Sequence, residues 1–91
     1  MSVTIIIPSP LRIHTAQRER ITVEAATVGE ALRCLCERHP GIQNHLLSED
    51  GGVRRFINVY VNDEDIRFLS DQKTGLRETD VVSIIPSIAG G

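Results

Sequence analysis

Phe56-Ile57-Asn58-Val59-Tyr60-Val61 is the stretch on which the fold reading turns. Ile57, Val59 and Val61 fall on one side of an extended chain, and Phe56, Asn58 and Tyr60 on the other. Period-two alternation in β-branched and aromatic residues specifies a strand with two unlike faces. The aliphatic side belongs in a core, so Phe56 and Tyr60 are carried outward. Asn62-Asp63 follows as turn chemistry. Ile66 to Leu69 reads as a short strand, Thr74-Gly75-Leu76 as an irregular connection, and Glu78-Thr79-Asp80 as a turn. Val81 to Ile85 is the last strand, with Val82 and Ile84 inward and Val81, Ser83 and Ile85 outward. Pro86 stops it, because proline cannot donate to a ladder.

Upstream lies one clear helix. Thr27-Val28-Gly29-Glu30 has the spacing of a capping box. Val28, Ala31, Leu32 and Leu35 then form one apolar stripe at helical spacing. His39 precedes Pro40 and is pushed out of the helical region, so the helix is expected over 28–38. Ile42, Leu46 and Leu47 suggest a second short helical turn over the core, followed by a polar loop over 48–52. At the start, Val3, Ile5 and Ile7 alternate as a strand that Pro8 and Pro10 end. Residues 8–18 read as a long loop, and Glu19 to Val23 as a second strand that pairs with the first. The order is β-β-α-β-β-β, a sheet covered on one face by a helix, which is an α+β arrangement. The uncovered face carries Phe56, Tyr60 and Ile85, a patch suited to a partner.

Composition narrows the function. With 91 residues the chain is one domain with a modest core. A net charge of −2 argues against a general electrostatic grip on nucleic acid or acidic membranes. Nine Arg stand beside one Lys, a bias that suits bidentate contacts to partner carboxylates and that genome composition produces equally well. No apolar run approaches the roughly 18 residues of a membrane span. The first residues lack the basic region of a signal peptide, so the expected location is the cytoplasm, where thiols stay reduced.

The domain is expected over 1–86, with 87–91 as a tail, Ser87-Ile88-Ala89-Gly90-Gly91. Five extended residues reach roughly 17 Å, and small side chains let such a tail thread a narrow channel. By composition alone a Gly-Gly end arises in about one chain in 200, so the tail needs support from what precedes it.

That support is a resemblance. Arg55-Phe56-Ile57-Asn58-Val59-Tyr60-Val61-Asn62-Asp63-Glu64-Asp65-Ile66-Arg67-Phe68 and Val82-Ser83-Ile84-Ile85-Pro86-Ser87-Ile88-Ala89-Gly90-Gly91 look like the corresponding segments of MoaD/ThiS-type sulfur carriers. The likeness covers essentially the whole chain. With Ile7-Pro8-Ser9-Pro10-Leu11-Arg12, the first segment is most similar to the CysO-like carriers of cysteine biosynthesis. The resemblance implies a ubiquitin-like β-grasp fold, a mixed sheet of four to five strands packed on one main helix. It also implies that the Gly91 carboxylate is adenylated by an E1-like enzyme and converted to a thiocarboxylate, with Ala89 and Gly90 threading the tail. The sulfur would go to a cysteine synthase that uses pyridoxal phosphate, and a JAMM-type zinc peptidase would release the product. The chain has no phosphate-binding loop of its own, so activation must come from outside. It is expected to be a substrate rather than an enzyme, holding no cofactor or metal. Phe56, Tyr60, Ile85 and Ile88 are the expected partner surface. A carrier for molybdopterin or thiamin-thiazole synthesis, a ubiquitin-like modifier joined to lysines, and a binding module never activated are the alternatives.

Other reactive residues read as structural. Cys34 and Cys36 lie about 200° apart around a helix, so they share no face, and Cys34 points toward solvent. His14, His39 and His45 lack ligand spacing, and His39 is placed to cap the helix end. Asp63, Glu64 and Asp65 read as a solvated turn. Arg54 and Arg55 border the exposed aromatic face, as partner contacts or as solubilising charge.

Overall fold

In a computed structural model of the chain, which describes residues 1–87, β1 (Ser2–Ile6) and β2 (Arg20–Glu24) pair antiparallel with Val3 opposite Val23 and Ile5 opposite Ile21. The 8–18 connection is not a plain loop. Ser9–Thr15 forms a 3-10 helix whose entry prolines already hold helical φ. Its Leu11 and Thr15 are buried. The Thr15 hydroxyl donates within 3.3 Å to the carbonyls of Arg12 and Arg18, and Arg12 Nε donates to the Ile7 carbonyl at 3.0 Å. These bonds satisfy backbone groups that would otherwise need water.

The main helix, α1 (Val28–Arg38), has the expected bounds. Thr27 Oγ1 accepts from the Glu30 amide at 3.2 Å, and Glu30 Oε1 reaches back to the Ala26 amide at 2.9 Å. A further orphan amide of the first turn, that of Val28, donates to the Thr74 carbonyl at 3.0 Å. At the other end the His39 backbone N–H, not its ring, closes on the Leu35 carbonyl at 2.9 Å. Val28, Ala31, Leu32, Leu35 and Cys36 are buried along one face. They join Ile42 and Leu46 of the following turns, a 3-10 turn at Pro40–Ile42 and α2 (Gln43–Leu46), while Leu47 is only half-buried.

β3 (Ile57–Val61) begins one residue later than the sequence suggests. Phe56 stays in a turn that the Ile57 amide closes on the Arg54 carbonyl at 3.0 Å. The short strand expected at Ile66–Leu69 is displaced. β4 is Glu64–Asp65, joined to β3 by the two-residue turn Asn62-Asp63 with Asn62 at φ 56. Asn tolerates that left-handed angle better than most residues. Ile66–Phe68 is instead a 3-10 turn, because the Asp65 carboxylate caps the Arg67 amide at 2.9 Å and bends the chain away from the ladder.

β5 (Val81–Pro86) completes a five-stranded sheet in the order β2-β1-β5-β3-β4. It runs parallel to β1 and antiparallel to β3. Val3, Ile5, Val23, Val59, Val82 and Ile84 share one buried cluster with the helix stripe. Each such side chain contributes about 1.5–3 kcal/mol of burial. The α+β arrangement, with one main helix on a mixed sheet, is therefore as expected. No helix among the described residues is long and apolar enough to cross a membrane. Of the tail, Ser87 is described, and residues 88–91 lie outside the described residues.

The cap yields a stability test. Thr27→Ala should cost about 1 kcal/mol. In a domain of this size, thermal unfolding should then move down by roughly 4–8 °C. An unchanged melting temperature would show that the cap does not hold the helix.

Candidate functional site

β5 is the last strand of the described chain, and Ser87 follows it directly. β1 accompanies it only from Val81 to Ser83, opposite Thr4 to Ile6. Among the described residues β3 is its only strand partner from Ile84 onward, and the Ser87 amide still donates to the Phe56 carbonyl at 2.6 Å. Successive strand amides point to opposite sides. Pro86 therefore lacks its N–H on the side facing away from β3, where no strand among the described residues pairs with it. Gly91, Ala89, Gly90 and Ile88, the expected reactive end and its approach, lie outside the described residues.

The outer sheet face holds part of the expected partner surface. Ile85, 47% exposed, sits across from Asn58, and Tyr60 across from Ser83, so Ile85 and Tyr60 are diagonal neighbours. Tyr60 is half-buried. Ile6 pairs with Ser83 on the same face and extends the apolar row toward β1. Phe56 is 50% exposed in the preceding turn, with the Arg55 guanidinium 5.7 Å from its ring centre. Arg54 Nε donates to the Asn44 carbonyl. Phe68, the most exposed large apolar side chain described at 85%, was not a candidate from sequence. Its position in a turn after β4 depends on the displaced strand.

A polar network crosses the same face, and sequence reasoning missed it. Asp65 is buried, not solvated as the acidic turn suggested. Its carboxylate accepts from Arg67 Nη2 at 2.7 Å and Arg67 Nε at 3.2 Å. Arg67 Nη2 also donates to Asn58 Oδ1 at 2.8 Å, and Asn58 Nδ2 donates to Ser87 Oγ at 2.6 Å. The hydrogen bonds from the Arg67 side chain and amide, with its charge, hold the Asp65 carboxyl below its ordinary value of 3.8. A two-residue spacing between Asp65 and Arg67 carries no such signal until the chain turns at Ile66.

The remaining reactive groups do not converge. Cys36 is buried, and burial pushes its thiol above its ordinary value, which disfavours the reactive thiolate. Cys34 is partly buried, with Sγ 3.6 Å from the Glu24 carbonyl. His14 and His45 stack at 4.4 Å between ring centres. Among the described residues no cluster of three or more His, Cys, Asp or Glu could hold a metal. A cavity of about 330 Å³ beside β3 is lined by Arg54, Arg55, Arg67, Asp65 and Asp71 with aliphatic side chains, and among the described residues no His, Cys, Ser or Lys lines it.

The model of the ThiS family matches residues 5–91. The chain belongs to the ThiS family. This ThiS-family chain is 39% identical over 93 residues to the sulfur carrier protein CysO of Mycobacterium tuberculosis, across 100% of both chains. It is thus a homologue of that carrier. It superposes on a chain of the crystal structure of the Amycolatopsis orientalis BexX/CysO complex with a TM-score of 0.89 and 42% identity, covering 98% of this chain and 99% of that one. It is also 39% identical over 66 residues to small archaeal modifier protein 3 of Haloferax volcanii, covering 72% of this chain and 71% of that protein. The β-grasp, ubiquitin-like fold is shared with the CysO structures. Sulfur carriers of the ThiS family are small carriers and not themselves enzymes.

The Asp65–Arg67 pair has a pH signature. A carboxyl with a depressed folded pKa adds stability that is complete above its unfolded value, about 3.9, and is lost as pH falls through the folded value. In Arg67→Ala the Asp65 titration, followed by carbon NMR, should move up toward the ordinary carboxylate range. A midpoint unmoved by the substitution would show that Arg67 does not hold the carboxylate.

Proposed function

We propose that this chain is a sulfur carrier of the CysO kind, with residues 87–91 as its working tail and the Gly91 carboxylate as its reactive group. A carboxylate is a poor electrophile because oxide is its leaving group. The carboxylate oxygen attacks the α-phosphorus of ATP in an E1-like enzyme, pyrophosphate leaves, and an acyl-adenylate forms. A sulfide-equivalent donor then attacks the acyl carbon and AMP leaves, giving a thiocarboxylate. The sulfur next adds to an aminoacrylate held on pyridoxal phosphate in a cysteine synthase. An acyl shift joins cysteine to Gly91, and a JAMM-type zinc peptidase releases it. ATP, pyridoxal phosphate and zinc all belong to the partners, and the reactions run in the cytoplasm.

The full-length identity to CysO carries this reading. The BexX/CysO complex supports the view that carriers of this shape are presented to a partner protein. The face formed by Tyr60 and Ile85, with Phe56 beside it, is the proposed docking surface for the activating enzyme, and Ile88, next in sequence after Ser87, is proposed to join it. A second reading, a ubiquitin-like modifier joined to target lysines, is favoured by the likeness to small archaeal modifier protein 3. The chemistry is common to both as far as the adenylate. Molybdopterin and thiamin-thiazole synthesis are the alternative sulfur acceptors.

Reconstitution with the host's E1-like enzyme, ATP and a sulfide donor tests the proposal. Intact mass should show one oxygen-to-sulfur exchange, and Gly91→Ala should abolish it by placing a methyl beside the reacting carbon. Normal thiocarboxylate formation by that variant would sink the tail chemistry. Tyr60→Ala should raise KM for the activating enzyme about fivefold or more without changing the melting temperature. Unaltered kinetics would remove Tyr60 from the docking surface.

A further inference from the structure

The hydrogen-bonded row Asp65–Arg67–Asn58–Ser87 spans the outer face from the sheet edge to the last residue of the described chain. At that end β5 has lost β1 and, among the described residues, keeps only β3 as strand partner. A strand end paired on one side swings more freely than one paired on both. The row supplies the missing restraint from an unusual direction, through side chains across the face. Its anchor, Asp65, is buried and tied to Arg67 by the side chain and the backbone amide together. Arg67 Nη2 serves Asp65 Oδ2 and Asn58 Oδ1 at once, which a guanidinium fork permits and an ammonium does less well. Asn58 passes the restraint on, accepting with its carbonyl oxygen and donating with its amide to Ser87 Oγ. Ser87 is thereby held twice, by its side chain to Asn58 and by its amide to the Phe56 carbonyl.

We propose that Asn58, Arg67 and Asp65 are positioning residues that fix where and in which direction the chain leaves the fold at Ser87, so that an activating enzyme receives the terminus from a preset origin. This rests on the proposed carrier function. Their effect is on the freedom lost when the complex forms. Releasing one residue's backbone should weaken productive association about five- to thirtyfold. The loss falls on KM, since chemistry in the bound complex is unchanged.

The test uses the full chain in two arms. In the first, no enzyme is present. Asn58→Ala and Ser87→Ala should each speed hydrogen exchange at the Ser87 amide several-fold, leave β3 and β5 amides as slow as before, and leave the melting temperature in place. In the second, the same variants should raise KM for the E1-like enzyme and hold kcat. The double variant should cost no more than either single one, as expected for a shared bond. Asn58→Asp is the control for a general effect of altering this face. Its carboxylate accepts from Arg67 and from the Ser87 hydroxyl, so Ser87 protection and KM should return toward wild type. Ser87 exchange unchanged in Asn58→Ala, additive losses in the double variant, or an Asn58→Asp as defective as Asn58→Ala would each overturn the proposal. A wild-type chain that no enzyme activates would sink the carrier reading instead, and the first arm would still decide whether the row holds Ser87.

Discussion

The antiparallel ladder between β3 and β5 sets where the last described residue, Ser87, sits against the sheet. Its five pairs run from Ile57 opposite Pro86 to Val61 opposite Val82. The inner side of that ladder, Val59, Val82 and Ile84, is buried against the stripe of α1, so its register cannot slip without turning core residues outward. Everything of functional interest hangs on the same register. It places Ile85 beside Tyr60 on the outer face, and it brings Asn58 within reach of Ser87. β1 adds the parallel partner that makes β5 central but ends at Ile6, so among the described residues β3 alone accompanies the end of β5.

Such a construction suits a protein that presents a group and leaves the catalysis to others. Under the proposed function the chain contributes a carboxylate, a surface and a direction. Its cysteines are packing residues, with Cys36 buried and disfavoured as a thiolate. Arg67 is spent on Asp65 and Asn58. Phe56 and Ile85, beside the end of β5, are among the large apolar side chains the domain leaves exposed, together with Met1, Ile13, Phe68 and Leu69 elsewhere.

Much of this was legible from residue order. The alternation in β3 and β5 and the stripe in α1 are signals that burial reinforces, so the expected faces and the helix bounds of 28–38 agree with the structure. The 3-10 helix at Ser9–Thr15 was not legible, because two prolines read as breakers and also as helix starters. The exchange of a strand at Ile66–Leu69 for a turn was hidden as well. Ile66 supplies an apolar residue in either case, and the deciding contact is a side-chain cap by Asp65. The Asn58–Ser87 bond joins residues 29 positions apart and could be seen only once the sheet was assembled. Family likeness, rather than spacing, pointed to the chemistry of the terminus.

The central claim is that the terminal carboxyl carries sulfur in the cell. Intact mass spectrometry of the protein isolated from its own host, with peptide mapping of the last residues, addresses that claim directly. The account predicts a population with sulfur in place of one terminal oxygen, or with cysteine joined through Gly91. A protein found only as the free acid, or only as conjugates to target lysines, would contradict it.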